Sequence, residues 1–202
     1  LLRSQVSRDP PRQFHPTPTP VVADPHQIRD EYVEMSDLSA AARDGDPVAI
    51  ARLLVSTPSV NPTLSPGGDG EARMATVTAD LLTSWGVETS VTEVAPGRQN
   101  VVGRMSGSGL TLLLNGHLDT VGVEGMTVAP FGAVVEDGRL LGRGSCDMKG
   151  GIAALLAAGR ALAAGGARPN LVIALTADEE HASIGMADLV AGPDGAADLA
   201  VV

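Results

Sequence analysis

The chain has 202 residues and a net charge of −10, and 44% of its residues are hydrophobic although aromatic residues make up only 2%. That length suits one domain whose core is built from Leu, Val, Ala and Ile, and the acidic balance without a basic cluster argues against nucleic acid or an anionic membrane surface as a partner. The single cysteine, Cys146, excludes an internal disulfide framework and suits a reducing cytoplasm.

Taken in chain order, residues 1–36 read as a disordered N-terminal extension, rich in proline (Pro10, Pro11, Pro16, Pro18, Pro20, Pro25) and without an apolar period. His15 and His26 lie inside it and read as solvated tail residues, Met35 is a candidate start, and the apolar stretches are too short for a secretory signal. From residue 37 onward the pattern is that of a folded domain. An amphipathic helix is expected over 38–55 and a second over 70–85, closed by Gly86. Strands come next near 87–94 and 100–105, and then at 111–116, where Thr111-Leu112-Leu113-Leu114-Asn115-Gly116 is a short apolar run that ends in a glycine, as a buried strand handing over to a loop does. Residues 131–141 read as a hairpin turning at Asp137-Gly138. The apolar stretch 152–164 is too short to span a bilayer and reads as a core helix. A buried strand at 170–176, a short helix at 183–190 and a last strand at 198–202 complete the order, with no internal repeat.

Three of these runs deliver chemistry at their ends. His117 and Asp119 come directly after the strand at 111–116, and alternation sets them on the same side of an extended backbone, so that the Asp119 carboxylate can reach one ring nitrogen of His117 while the other faces a cation. Asp147 sits in the glycine-rich turn Gly142-Arg143-Gly144-Ser145-Cys146-Asp147-Met148-Lys149-Gly150-Gly151, where flanking glycines allow close backbone approach to a ligand. The turn lacks the Lys-Ser/Thr pair of a phosphate loop and the third glycine of a dinucleotide fingerprint. Asp178, Glu179 and Glu180 come after the strand at 170–176, three adjacent acids that repel one another unless a cation or solvent relieves them. Taken singly, these features also fit a loop histidine paired with an acid, a helix N-cap aspartate and a solvated acidic loop. Together they put histidine and carboxylates at the carboxyl ends of buried strands, where open α/β sheets place their sites. Imidazole and carboxylate donors without paired cysteines point to Zn2+, Mn2+ or Co2+, with zinc the default.

Gly116-His117-Leu118-Asp119-Thr120-Val121, Gly144-Ser145-Cys146-Asp147-Met148-Lys149-Gly150-Gly151 and Asp178-Glu179-Glu180 resemble the three N-terminal motifs of the di-zinc amidohydrolases and exopeptidases, a family that includes acetylornithine deacetylase, succinyl-diaminopimelate desuccinylase, glutamate carboxypeptidase and aminoacylase. The resemblance spans about 39–202. It implies a zinc-exopeptidase-like three-layer α/β catalytic domain with a mixed, mostly parallel sheet flanked by helices. It further implies that His117 binds one zinc, Glu180 the other, and Asp147 bridges the two. Asp119 would orient His117, Glu179 would be the general base that takes a proton from the attacking water, and a cis peptide would join Asp147 and Met148. Cys146 would be a small buried neighbour of the site, and His181 a loop residue outside it.

For the whole protein the resemblance implies an amide hydrolase acting on a small N-acyl amino acid, of the acetylornithine deacetylase type. The alternatives are a carboxypeptidase or dipeptidase of the same family, and an inactive fragment. The family's remaining two ligands and its dimerisation domain would lie beyond the strand at 198–202. The chain therefore reads as the N-terminal part, truncated at its C-terminal side, of a longer cytoplasmic enzyme that is a homodimer when complete.

Overall fold

The computed structural model describes residues 35–165 and 169–202. The expected disordered extension, with His15, His26 and the proline cluster, lies outside the described residues, apart from Met35 and Ser36, which open the first helix.

A five-stranded sheet organises the rest, in the order β1-β2-β6-β3-β7. The strands are β1 (Glu88–Ala95), β2 (Arg98–Met105), β3 (Ser108–His117), β6 (Pro169–Thr176) and β7 (Leu199–Val201). β3 runs parallel to β6 and to β7, whereas β1–β2 and β2–β6 are antiparallel. The sheet is thus mixed as expected, but it divides evenly between the two kinds of pairing and has no parallel majority. The cause is local: only Pro96 and Gly97 separate β1 from β2, a connection that permits an antiparallel hairpin and nothing else.

Helices cover both faces, giving three layers. Alternation along the strands sends Val101, Leu114, Leu171, Ile173 and Leu175 to one face, where they pack with α1 (Met35–Asp44), α2 (Pro47–Val55), α3 (Ala72–Ser84) and α4 (Lys149–Ala164). The intervening Val102, Leu113 and Ala174 turn to the other face and meet Leu189 of α5 (Ile184–Ala191). On α4 the buried positions Lys149, Ile152, Ala153, Leu156 and Gly159 form a single helical stripe. Gly159 lets the helix lie close on the sheet, since a Cβ there would stand 2.6 Å from Cδ1 of Ile173. Among the described residues no helix is long and apolar enough to cross a membrane.

Two expected elements change shape. The single helix over 38–55 is two helices, α1 and α2, because Gly45 takes φ +92° and Asp46 caps the next helix, accepting from the Ala49 amide at 2.7 Å, with Pro47 in its first turn. Proline keeps the residue before it extended, so the apolar period runs on through a break in the backbone. The hairpin expected over 131–141 is shorter, a separate two-stranded sheet of β4 (Val134–Glu136) and β5 (Arg139–Leu141). It does turn at Asp137-Gly138, both with positive φ (50° and 71°), the conformation of a two-residue type I′ connection.

Candidate active site

The parallel register of β3 and β6 pairs His117 with Thr176, so both strands stop at the same level and the segment after β6 turns beside His117. The amino end of α4 closes in from the helical layer. A Cβ on Gly116 would stand 3.0 Å from Ile152 Cγ1 and 3.2 Å from Met148 Cε, and the His117 amide donates to Met148 Sδ at 3.3 Å. Close packing at Gly116 therefore sets Asp147, one residue before Met148, opposite the histidine. A cis peptide joins Asp147 to Met148, as the resemblance implies.

Ligand atoms of His117, Asp147 and Glu180 come within 4.8 Å of one another. His117 Nε2 lies 3.0 Å from Asp147 Oδ1 and 3.7 Å from Glu179 Oε2. The other ring nitrogen, Nδ1, stands 3.0 Å from the backbone carbonyl of Asp119. A carbonyl only accepts, so Nδ1 carries a proton and Nε2 is the nitrogen presented to the two acids.

Asp119 meets His117 through both its carbonyl and its carboxylate. Its carboxylate oxygen is 3.6 Å from Nδ1, farther than its own backbone carbonyl at 3.0 Å. The carboxylate also receives the amides of Glu179 at 3.0 Å and Glu180 at 3.2 Å, and the Asn61 carboxamide at 2.7 Å. It holds the glutamate pair by the backbone.

The electrostatics arise from that geometry. Burial disfavours the charged imidazole of His117, but bonds to Asp119 and Asp147 and the charges of Asp119 and Glu179 outweigh it and hold the pKa up to about 9. For Asp119, burial pushes upward, and the contacts from His117, Asn61 and the Glu179 amide push further downward, so the carboxylate stays ionised below its usual range. Glu180 is raised by burial and by the charge of Asp147, with Asp119 and Glu179 adding to the push and His117 opposing it. An imidazole nitrogen and two carboxylates that converge, one of them reluctant to ionise beside its neighbours, form a donor set that a divalent cation satisfies. Nitrogen and oxygen donors without a thiolate suit zinc, cobalt or manganese.

Several residues that shape the site carry no motif. Asp178 separates from its two neighbours: it takes φ +64° and turns inward to 2% exposure, where Arg98 Nη2 reaches it at 2.9 Å. Arg98 also forms a two-pronged pair with Glu71, at 2.6 Å and 2.7 Å, and the Asp178 amide donates to Glu71 Oε1 at 3.1 Å. Asn100 fastens the loop from the other side, accepting the Ala177 amide at 2.9 Å and donating to Gly185 O at 2.8 Å. A sequence signal did exist for two of these: Arg98 and Asn100 are polar residues two apart on the face that continues with buried Val102, where apolar side chains are the rule.

Cys146 is exposed, contrary to the buried neighbour expected there, because the turn ahead of α4 puts Gly144 and Lys149 inside and leaves residue 146 on the outer side. Its thiol is not among the converging ligand atoms. His181 is a loop residue on the rim, with Nδ1 3.8 Å from Asp178 Oδ1.

Residues 113–202 match the family model described as peptidase family M20/M25/M40. Among curated relatives, the succinyl-diaminopimelate desuccinylase of Gluconacetobacter diazotrophicus is 40% identical over 142 residues, a match that covers 66% of this chain and 34% of that protein. The acetylornithine deacetylase of Salmonella arizonae is 35% identical over 143 residues, covering 68% and 37% respectively. The chain thus spans about a third of the length of these curated relatives. In three dimensions it is similar to a metallo-carboxypeptidase from Sulfolobus solfataricus, with a TM-score of 0.68 at 23% identity over 77% of this chain and 36% of that one. Human carnosine dipeptidase 1 is similar too, with a TM-score of 0.62 at 21% identity, over 77% and 37%. At these identities the two structures show the fold alone.

Proposed function

We propose that this chain, which belongs to peptidase family M20/M25/M40 through residues 113–202, carries the water-activating side of a metal-dependent hydrolase that cleaves the amide bond of an N-acyl amino acid. The convergence of His117, Asp147 and Glu180 within 4.8 Å, with Glu179 beside them, carries the reading. His117, Asp147 and Glu180 are the residues that would hold the zinc. Zinc bound there polarises the scissile carbonyl and lowers the pKa of the attacking water.

The chain's own residues do the rest. Asp119 fixes the His117 tautomer through its carbonyl and holds the Glu179 and Glu180 amides through its carboxylate. The Glu179 side chain, 53% exposed and outside the donor trio, takes the proton from the attacking water and passes it to the leaving amine as the carbon–nitrogen bond breaks. The products are a carboxylate and a free amine. The substrate class rests on the two relatives, whose names give removal of a succinyl group from diaminopimelate and of an acetyl group from ornithine.

Were Asp147 shared between two zincs, the trio would offer each of them two donors, short of the three protein ligands usual in catalytic zinc sites. A site built from this trio alone is therefore expected to hold zinc weakly and to turn over slowly. Zinc titration, together with turnover of N-acetylornithine, N-succinyl-diaminopimelate and dipeptides at saturating zinc, tests the reading. Glu179→Ala should keep the zinc affinity and lower amide hydrolysis by roughly 10²–10⁴-fold, whereas His117→Ala should lose the zinc. Undiminished hydrolysis in Glu179→Ala would remove Glu179 as the base, and preferred turnover of dipeptides would move the substrate class to peptides.

A further inference from the structure

We propose that Asn61 is a positioning residue that locks the Glu179–Glu180 turn onto Asp119 and so sets where the base and the metal ligand stand. The link from that turn to catalysis rests on the reading given under Proposed function, while the lock itself rests on geometry alone.

The backbone brings Asn61 to the site. Thr120 donates its amide to Ser59 O at 3.0 Å, and Asn61 donates its own to Thr120 O at 2.8 Å, so residues 59–61 run alongside the segment that leaves β3. The side chain is then fully used. Its Oδ1 accepts the Thr63 amide at 3.0 Å, which decides which way the carboxamide faces. The two hydrogens of Nδ2 are left for two acids, Asp119 Oδ2 at 2.7 Å and Asp178 Oδ1 at 3.0 Å.

Those acids are 1% and 2% exposed, and side by side they would repel each other. A neutral double donor joins them without adding charge. The two are not equally fixed: Asp178 is tied by Arg98 and, through its amide, by Glu71, whereas Asp119 has His117 Nδ1 at 3.6 Å as a competing attraction. Asn61 fastens the freer acid to the pinned one, and the freer acid in turn receives the amides of Glu179 and Glu180. Without the Nδ2 donor, Asp119 is free to swing toward His117 and let both amides go.

Two substitutions separate this lock from the ordinary turn-forming use of an asparagine. Asn61→Asp keeps the shape and the oxygen that caps Thr63 but removes the donor, and Asn61→Ala removes both. Backbone amide exchange, measured by NMR on the metal-free chain, should rise about tenfold or more at Glu179 and Glu180 in both variants, with the amides of Leu114 and Ile173 in the central strands unmoved. Should Asn61→Asp not fold, because it puts a further acid beside buried Asp119 and Asp178, Asn61→Ala is neutral, has no donor and gives the reading by itself. Wild-type exchange at Glu179 and Glu180 in the variants overturns the proposal. Equal acceleration throughout β3 and β6 also overturns it, since Asn61 would then be merely structural. A titration with Co2+ completes the test, and its affinity should fall about tenfold with the lock broken. Faster exchange at Glu179 and Glu180 with unchanged Co2+ affinity upholds the lock and counts instead against Glu180 as a metal ligand.

Discussion

The back and the front of the site treat the same kind of residue in opposite ways. Behind Asp119, Glu71 and Asp178 have side chains only 0% and 3% exposed, and each is matched by Arg98, backbone amides or Asn61. In front, the side chains of Asp147 and Glu179 are 74% and 53% exposed, and His117 is the cation the structure gives them. A buried carboxylate is tolerable only when its oxygens are filled with donors. The back therefore spends its donors on internal pairing, and the front keeps carboxylate oxygens open toward whatever enters.

The sharpest way to break this contrast is to remove a charge from each side. Arg98→Met leaves Glu71 and Asp178 buried without their guanidinium and should cost on the order of 3–5 kcal/mol of stability. Asp147→Asn, at an exposed position, should change the stability of the metal-free chain by no more than about 1 kcal/mol. Urea unfolding of the two variants measures the difference. Equal losses would mean that front and back are one structural network.

A smaller and more selective effect lies in pH. In the metal-free chain His117 is raised from 6.5 to about 9, so its contribution to stability is present in full below pH 6.5 and is lost as pH climbs through 9. Lys149, buried with Nζ donating to Thr57 O at 2.7 Å, shows the opposite behaviour. Burial lowers it from 10.5 to about 7 against the pull of Asp69, so the unfolded chain holds a proton that the folded chain has given up, and stability rises between about 7 and 10.5. The two trends oppose each other between pH 7 and 9. Lys149→Met should unmask the decline and His117→Gln the rise, both read from unfolding midpoints across a pH series. Zinc adds a further check. If His117 is a ligand, as proposed, zinc competes with the proton on its ring, so affinity should fall as pH drops below about 9.

The front of the site was largely legible in the sequence and the back was not, for a physical reason. His117, Asp147, Glu179 and Glu180 stand at the ends of apolar runs or in a glycine-rich turn, and such local patterns fix where a strand stops and which residues come after it. Asn61, Glu71 and Arg98 act through contacts 27 to 117 residues apart in the chain, and no local period reports those. The direction of Asp178 was hidden for a related reason. In three consecutive acids nothing local says which one turns inward, and here the choice is made by Arg98, a partner 80 residues away. The break between α1 and α2 is a different case: Gly45-Asp46-Pro47 spells it out, but the hydrophobic period continues through these turn residues and masks it.

Cys146 gives the smallest expected effect. Cysteine is among the most buried residue types and favours metals when ionised, so its place beside Asp147 invites two readings, a packed neighbour or a soft ligand. The structure supports neither, because the residue is exposed and its sulfur lies outside the cluster of His117, Asp147 and Glu180. Cys146→Ser should therefore change unfolding stability by less than about 0.5 kcal/mol and leave the zinc affinity of the chain as it was. The Co2+ form offers the stricter control. A thiolate ligand would add an intense sulfur-to-metal absorption band that disappears in the serine variant, whereas a site built from imidazole and carboxylates has no such band to lose. A band that vanished with Cys146 would place a soft donor at the front of the site and end the account of it as a nitrogen and oxygen centre.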